Sequence, residues 1–178
     1  MLFRSDILKL ALDDNEYYYI RILATEIISD LCDLELRKKL KPLLDISKIE
    51  DSNDEIKGYV LKATWPDILT IEELLKHLVC TNSSFLGSYY RFINYYLVEY
   101  FNSETYSHVL KWILENEFFR RKYPENNNIL FEIIKKVLLN AIYYLINKEL
   151  VELYTLLLID IMTNKITCMI NRESFQNE

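Results

Sequence analysis

Asp51–Pro66, DSNDEIKGYVLKATWP, is the stretch whose reading decides the fold. At the helical period of about 3.6 residues, Ile56, Tyr59, Val60 and Ala63 fall on one stripe, and Gly58, Leu61 and Trp65 fall on a second, nearly opposite one. A helix apolar on two sides is buried on two sides. Both ends are marked locally: Ser52 and Glu55 have the spacing of a capping box, and Pro66 has no N–H to donate to a further turn. The stretch predicts a short helix held between neighbours, the place of an inner helix in a stacked helical array.

Composition agrees. The 178 residues include only two glycines and three prolines, too few for the turns of an all-β chain and enough for helices joined by short loops. The fold class read here is all-α, a single domain over residues 1–170 with a flexible tail at 171–178. The formal net charge of −6 makes nucleic acid an unfavoured partner, since phosphate binding needs a dense cationic surface. Cys32, Cys80 and Cys168 are odd in number and in no paired motif, which suits a reducing, cytoplasmic setting. The start, MLFRSDILKLALDD, turns acidic too early for a signal peptide, and charges interrupt the apolar run Val137–Met162, so no membrane span is expected. Asn82–Ser84 fits a glycosylation acceptor that has meaning only in a secreted chain.

Outward from the central stretch, Asp6–Leu12 has helical spacing, and Asp13 with Glu16 predicts a capping box for a helix whose stripe is Ile20, Leu23, Ala24, Ile27 and Ile28. Leu34, Leu36, Leu40, Leu43 and Leu44 follow, with Pro42 kinking or ending that helix. Ile20, Arg21 and Ala24 match Ile56, Lys57 and Val60 at a spacing of ~36 residues, within the range of helical-repeat units. Thr70 and Glu73 predict another capping box, for a helix carrying Ile71, Leu74, Leu75, Leu78 and Val79. In FLGSYYRFINYYLVEYF, Tyr89, Phe92, Ile93, Tyr96, Leu97 and Tyr100 line one side of a helix. Ser103 is the expected N-cap of the next, which carries Tyr106, Val109, Leu110, Ile113 and Leu114 with Trp112 beside them. Pro124 and Asn126–Asn128 mark a loop, and two longer helices occupy about 129–163.

These segments together carry a resemblance. DNEYYYIRILATEI, NDEIKGYVLKATWPDILTIEELLKHL, FLGSYYRFI and HVLKWI, over about residues 8–113, resemble the HEAT-like helical region of bacterial NACHT-type NTPases of the STAND class. The motif positions are Glu55, Ile56, Lys57, Gly58, Trp65, Pro66, Gly87, Tyr89, Phe92, Leu110 and Trp112; position 57 is Lys where the family more often has Arg. The resemblance implies antiparallel helix pairs stacked as a short right-handed α-solenoid, a noncatalytic protein-interaction or sensor module, and a role in prokaryotic defence or signalling. With glycine only at Gly58 and Gly87, no G-x-x-x-x-G-K-[ST] phosphate loop can be written, so the chain reads as a fragment or relative of the family without its NTPase.

Catalytic and metal chemistry find little support in the residue pattern. His77 and Cys80 share a helix, with Cys32 and His108 elsewhere, but the paired spacing of structural zinc sites is missing. The carboxylate pairs Asp13–Asp14, Glu72–Glu73 and Glu149–Glu152 sit where helix starts favour acids. No serine lies in a glycine elbow, and neither histidine has an orienting partner in the sequence. No metal or cofactor is implied. Partner-binding candidates are Tyr90 and Tyr95, from tyrosine doublets whose members point ~100° apart, and the basic cluster Arg120, Arg121 and Lys122. The rival reading is a small helical enzyme or nucleic-acid-handling domain with a site near residues 118–124. An apolar edge built from Leu2, Phe3, Ile7, Leu8 and Leu10 is expected to bind a protein partner, a segment of a parent NTPase, or a second copy.

Overall fold

The computed structural model describes residues 2–45, 51, 53–78, 87–115, 129–145 and 147–174, and every regular element among them is helical. In chain order these are α1 (Leu2–Leu12), α2 (Tyr18–Leu31), α3 (Leu34–Lys38) followed by a 3-10 turn (Lys41–Leu44), and α4 (Glu55–Thr64). Then come α5 (Ile71–His77), α6 (Ser88–Arg91) continuing as a π turn (Phe92–Tyr96), and α7 (Ser103–Glu115). The last are α8 (Ile129–Ala141), with a 3-10 turn (Ile142–Tyr144), and α9 (Lys148–Ser174). Helix α2 packs on α1 and α4, α4 on α6 and its π turn, and the π turn on α8, forming one row. In a second row α7 packs on both α5 and α9, and α7 also meets α8.

Helix α4 is enclosed, as its two stripes require. Ile56, Val60 and Leu61 have no exposed surface, and Tyr59, Ala63 and Trp65 are buried with them; each large side chain so covered contributes about 1.5–3 kcal/mol. The helix stops where expected, with Trp65 extended ahead of a cis Trp65–Pro66 peptide. Its start is built differently. Ser52 lies outside the described residues, and the carboxylate of Asp51 accepts from the Ile56 N–H at 3.3 Å and the Lys57 N–H at 2.9 Å. Glu55, expected to fold back onto its own helix start, instead accepts from the Ser88 N–H at 3.0 Å. Asp54, immediately before α4, takes the left-handed conformation at φ 56°.

Several boundaries follow the sequence and several do not. Both bonds of the Thr70–Glu73 capping box form. The Asp13–Glu16 pair does not cap α2, which starts only at Tyr18; the Asp13 carboxylate accepts from the Asn15 N–H in a local turn, and Glu16 accepts from the Tyr17 N–H. Ser103 is already helical in α7, and Asn102 caps it by accepting from the Glu104 and Thr105 N–H groups, both at 3.0 Å. The expected stripe of α2 is unevenly covered: Ala24 and Ile28 are buried, whereas Ile20, Leu23 and Ile27 keep 37%, 39% and 36% of their surface exposed. Of the five residues of the expected apolar edge, Ile7 belongs to the core and Leu8 packs against it, Leu10 is 37% exposed, and the side chains of Leu2 and Phe3 lie outside the described residues. Helix α9 runs through Ser174, into the stretch expected to be tail.

One more departure follows the π turn. A regular helix through Tyr89, Phe92, Ile93 and Leu97 would bury Tyr100, but the helix ends with the π turn at Phe92–Tyr96, residues 97–100 form a turn, and Phe101 is buried while Tyr100 is half exposed. Phe101 then meets Trp65 edge-on at 5.9 Å between centroids and Tyr106 at 5.3 Å, and Tyr106 continues to Tyr144 at 4.9 Å. This aromatic chain ties α4 to α7 and to the turn after α8.

Two elements approach closely at Gly58. A Cβ built there would overlap the backbone of Ser88 and Tyr89 and the Ser88 hydroxyl, so α4 and α6 touch main chain to main chain. Gly58→Ala is expected to lower stability by about 1–3 kcal/mol through overpacking, although alanine is the better helix former by about 1 kcal/mol. Urea unfolding measures the difference; an unchanged midpoint would show that the two helices are free to separate.

Candidate interaction surface

The motif positions around α4 come together as a polar knot under this contact. The Lys57 ammonium, 4% exposed, lies 3.4 Å from the Asp54 carboxylate and 4.2 Å from the centroid of the Tyr89 ring. Burial pushes the Lys57 pKa down, with Asp54 and Asp51 opposing it, and burial pushes the Asp54 carboxyl up, with Lys57 opposing it. Asp51, besides capping α4, accepts from the Tyr18 hydroxyl at 2.7 Å, which joins α2 to the same knot. The Ser88 hydroxyl donates to the Glu55 carbonyl at 2.5 Å. His77 has its pKa lowered by burial and then by the charge of Lys57.

Gly87, Tyr89 and Phe92 are buried beside this knot, and Trp65 lies at the head of the aromatic chain with Pro66 half-buried next to it. Trp112 is half-buried against the core on α7. The structure thus gathers Glu55, Lys57, Gly58 and Tyr89 into one contact and leaves Trp112 on a different helix of the second row.

A second set of polar contacts crosses the row nearer the surface. The Tyr59 hydroxyl donates to Glu26 at 2.7 Å and accepts from Arg91 at 3.1 Å, linking α2, α4 and α6 at sequence separations of 33 and 32. Lys62 repeats the step, reaching Asp30 at 2.8 Å with a separation of 32 and standing 4.9 Å over the Tyr96 ring. Partial burial opposes the Lys62 charge, but the Asp30 carboxylate outweighs it and the pKa rises. Lys136 on α8 donates to the Asn94 carbonyl and lies 5.8 Å from the Tyr95 ring centroid. Of the partner-binding candidates, Tyr95 is 69% exposed and Tyr90 half-buried; Arg120, Arg121 and Lys122 lie outside the described residues.

Sequence reasoning passed over Asp51, Ser88, Glu26 and Arg91. The one available signal was the ~36-residue match, which says that neighbouring units face each other at a regular offset. His108 also differs from its sequence reading: its Nε2 is 3.1 Å from the Glu72 carboxylate, and its Nδ1 is 2.9 Å from the Glu104 carbonyl. Among the described residues no three His, Cys, Asp or Glu side chains gather in metal-holding geometry, and no helix is long and apolar enough to cross a membrane. The chain matches no family model, no curated protein and no solved structure.

The phenols in these contacts set an alkaline limit. Burial, then the Glu26 carboxylate, raises the Tyr59 pKa to about 12, and burial raises Tyr106 to about 12 as well. A raised folded-state pKa means that the unfolded chain loses its phenolic protons first, near pH 10. The stability is therefore complete below pH 10 and is lost as the pH climbs toward 12. Tyr59→Phe should cost about 1.5–3 kcal/mol at neutral pH, as expected for a hydrogen bond to a charged group. It should also flatten the decline between pH 10 and 12. Melting curves across that range test both effects, and a decline as steep as in the parent chain would remove Tyr59 as its source.

Proposed function

We propose that this protein is a noncatalytic helical-repeat module that holds or senses a protein partner, related to the HEAT-like region of NACHT-type STAND NTPases. The observation that carries the reading is the recurrence of contacts between successive helices of one row at sequence separations of 32 and 33, from α2 to α4 and again from α4 to α6. Such an offset is what stacked units of constant length produce, each unit meeting only its neighbours. The meeting of Glu55, Lys57, Gly58 and Tyr89 at one inter-helix contact gives the shared motif a physical role, since each of these residues serves the seam between α4 and α6. In this reading the helix pairs stack as a short right-handed α-solenoid, the exposed ring of Tyr95 belongs to the partner-binding face, and the protein works in the cytoplasm, in prokaryotic defence or signalling.

The test is affinity purification after crosslinking in the host cell, comparing the parent chain with Tyr95→Asp. One protein should be recovered in near-stoichiometric amount, and its recovery should fall about tenfold with Tyr95→Asp while the melting temperature is unchanged, because the ring is exposed. The purified chain should hydrolyse no nucleotide. Turnover that follows the protein through successive columns, with no partner recovered, would overturn the reading in favour of an enzyme.

A further inference from the structure

Away from the α4–α6 knot, one titratable cluster joins three helices of the second row. The buried side of α7 is made by Tyr106, Val109, Leu110 and Ile113; on the opposite side Glu104, His108 and Lys111 fall together, with Glu115 two turns beyond His108. His108 is held from two directions. Its Nε2 lies 3.1 Å from the Glu72 carboxylate of α5, and its Nδ1 lies 2.9 Å from the Glu104 carbonyl, one turn back in α7. One turn further on, Lys111 reaches the Glu149 carboxylate of α9 at 2.6 Å. The groups thus run across the row as carboxylate, imidazole, ammonium and carboxylate.

Both oxygens that face the ring accept hydrogen bonds and have no proton to give. A neutral imidazole donates through one nitrogen and presents a lone pair from the other, so one of its two contacts would set lone pair against lone pair, whereas the imidazolium donates to both. Charge points the same way. With His108 protonated, α7 offers two cations to the two carboxylates that flank it; with His108 neutral, Lys111 stands alone between Glu72 and Glu149, and Glu104 adds an acid on the same side of α7. The Glu72 carboxyl is held below its ordinary value by its own backbone N–H and the Thr70 hydroxyl, and then by His108 and Lys76. Lys111, and then His108, do the same for Glu149. Both acids are therefore ionised across the range in which histidine changes charge, about pH 5–8.

We propose that His108 is a pH-sensitive strut between α5 and α7: its protonated ring bonds the Glu72 carboxylate and the Glu104 carbonyl together, and loss of one ring proton frees the first turn of α5. The release is local, because Ile71, Leu74 and Leu75 stay in the core and Glu73 keeps its bond to Lys41 at 2.6 Å. A contact made by the protonated ring adds stability that is present at about pH 5 and is lost by about pH 8. His77 acts with the opposite sign. Burial, and then the charge of Lys57, lower the His77 pKa, so its contribution is present at neutral pH and is lost as the pH falls. Substitution at position 108 leaves His77 in place and so separates the two. The strut needs no partner protein and is independent of the interaction-module reading.

A double-mutant cycle on the full chain tests it, with urea unfolding of the parent, His108→Gln, Glu72→Gln and the double variant at low and high pH. The coupling between the two positions should be about threefold in the unfolding constant at about pH 5.5, the size expected of a half-exposed ion pair, and should vanish at about pH 8.5. His108→Arg, which stays charged throughout, should keep its coupling to Glu72 at both. Amide hydrogen exchange in α5, corrected for its intrinsic pH dependence, gives a second reading that needs only the exposed Glu72→Gln. It should quicken about threefold from about pH 5.5 to 8.5 in the parent and stay level in the variant. A coupling equal at the two pH values, no coupling at either, or α5 exchange that changes alike in parent and Glu72→Gln overturns the proposal.

Discussion

Helix α4 can lie against α6 at main-chain distance only because residue 58 has no side chain, and the contacts of the α4–α6 seam depend on that approach. It brings the Ser88 N–H to the Glu55 carboxylate and the Tyr89 ring to the Lys57 ammonium. Glycine inside a helix is unfavourable by about 0.5–1 kcal/mol relative to alanine, a penalty smaller than the clash that any Cβ would create here. With α6 pinned in this way, the π turn that continues it falls where Leu97 and then Phe101 enter the core. Trp65, at the other end of α4, meets the same Phe101.

The ionic part of the knot serves position more than stability. An ion pair taken out of water recovers little more than its own desolvation, and the opposing shifts of Lys57 and Asp54 both trace first to burial. What the pair does is restrict geometry. Lys57 reaches Asp54 and the Tyr89 ring together at one register of α4 against α6, and Asp51 reaches Tyr18 and the α4 N–H groups at one placement of α2. The outer contacts through Tyr59 and Lys62 repeat the constraint closer to solvent. A row of helices whose apolar seams are broad and similar needs such polar markers, because apolar contact alone discriminates weakly between neighbouring registers.

The same construction accounts for the difference between α2 and α4. Both have more apolar positions than one neighbour can cover, and α4 has neighbours on each side, whereas the described residues place α4 on one side of α2 and α1 beside it. Ile20, Leu23 and Ile27 of α2 accordingly keep 37%, 39% and 36% of their surface exposed, while Ile56, Tyr59 and Ala63 of α4 are buried.

The residues alone determined a good deal. The scarcity of glycine and proline with about 3.6-residue periodicity dictates helices; Pro66 ends α4 because it has no N–H; Thr70 and Glu73 cap α5 through bonds wholly local to four residues; and Gly58 in an apolar stripe announces a close approach. Other features were decided in three dimensions. Asp13 and Glu16 have the same spacing as Thr70 and Glu73 yet cap nothing, because the turn at Asn15 delays α2 until Tyr18. Glu55 leaves its own helix for Ser88, 33 residues away, because α6 presents an N–H there. Asn102 rather than Ser103 caps α7, and Phe101 rather than Tyr100 is buried, because the helix ends at Tyr96 and the chain turns before α7 begins. Periodicity identifies which side of a helix is apolar; only the packing of the rows decides how far that side is covered, and in α2 the described neighbours cover Ile20, Leu23 and Ile27 only in part.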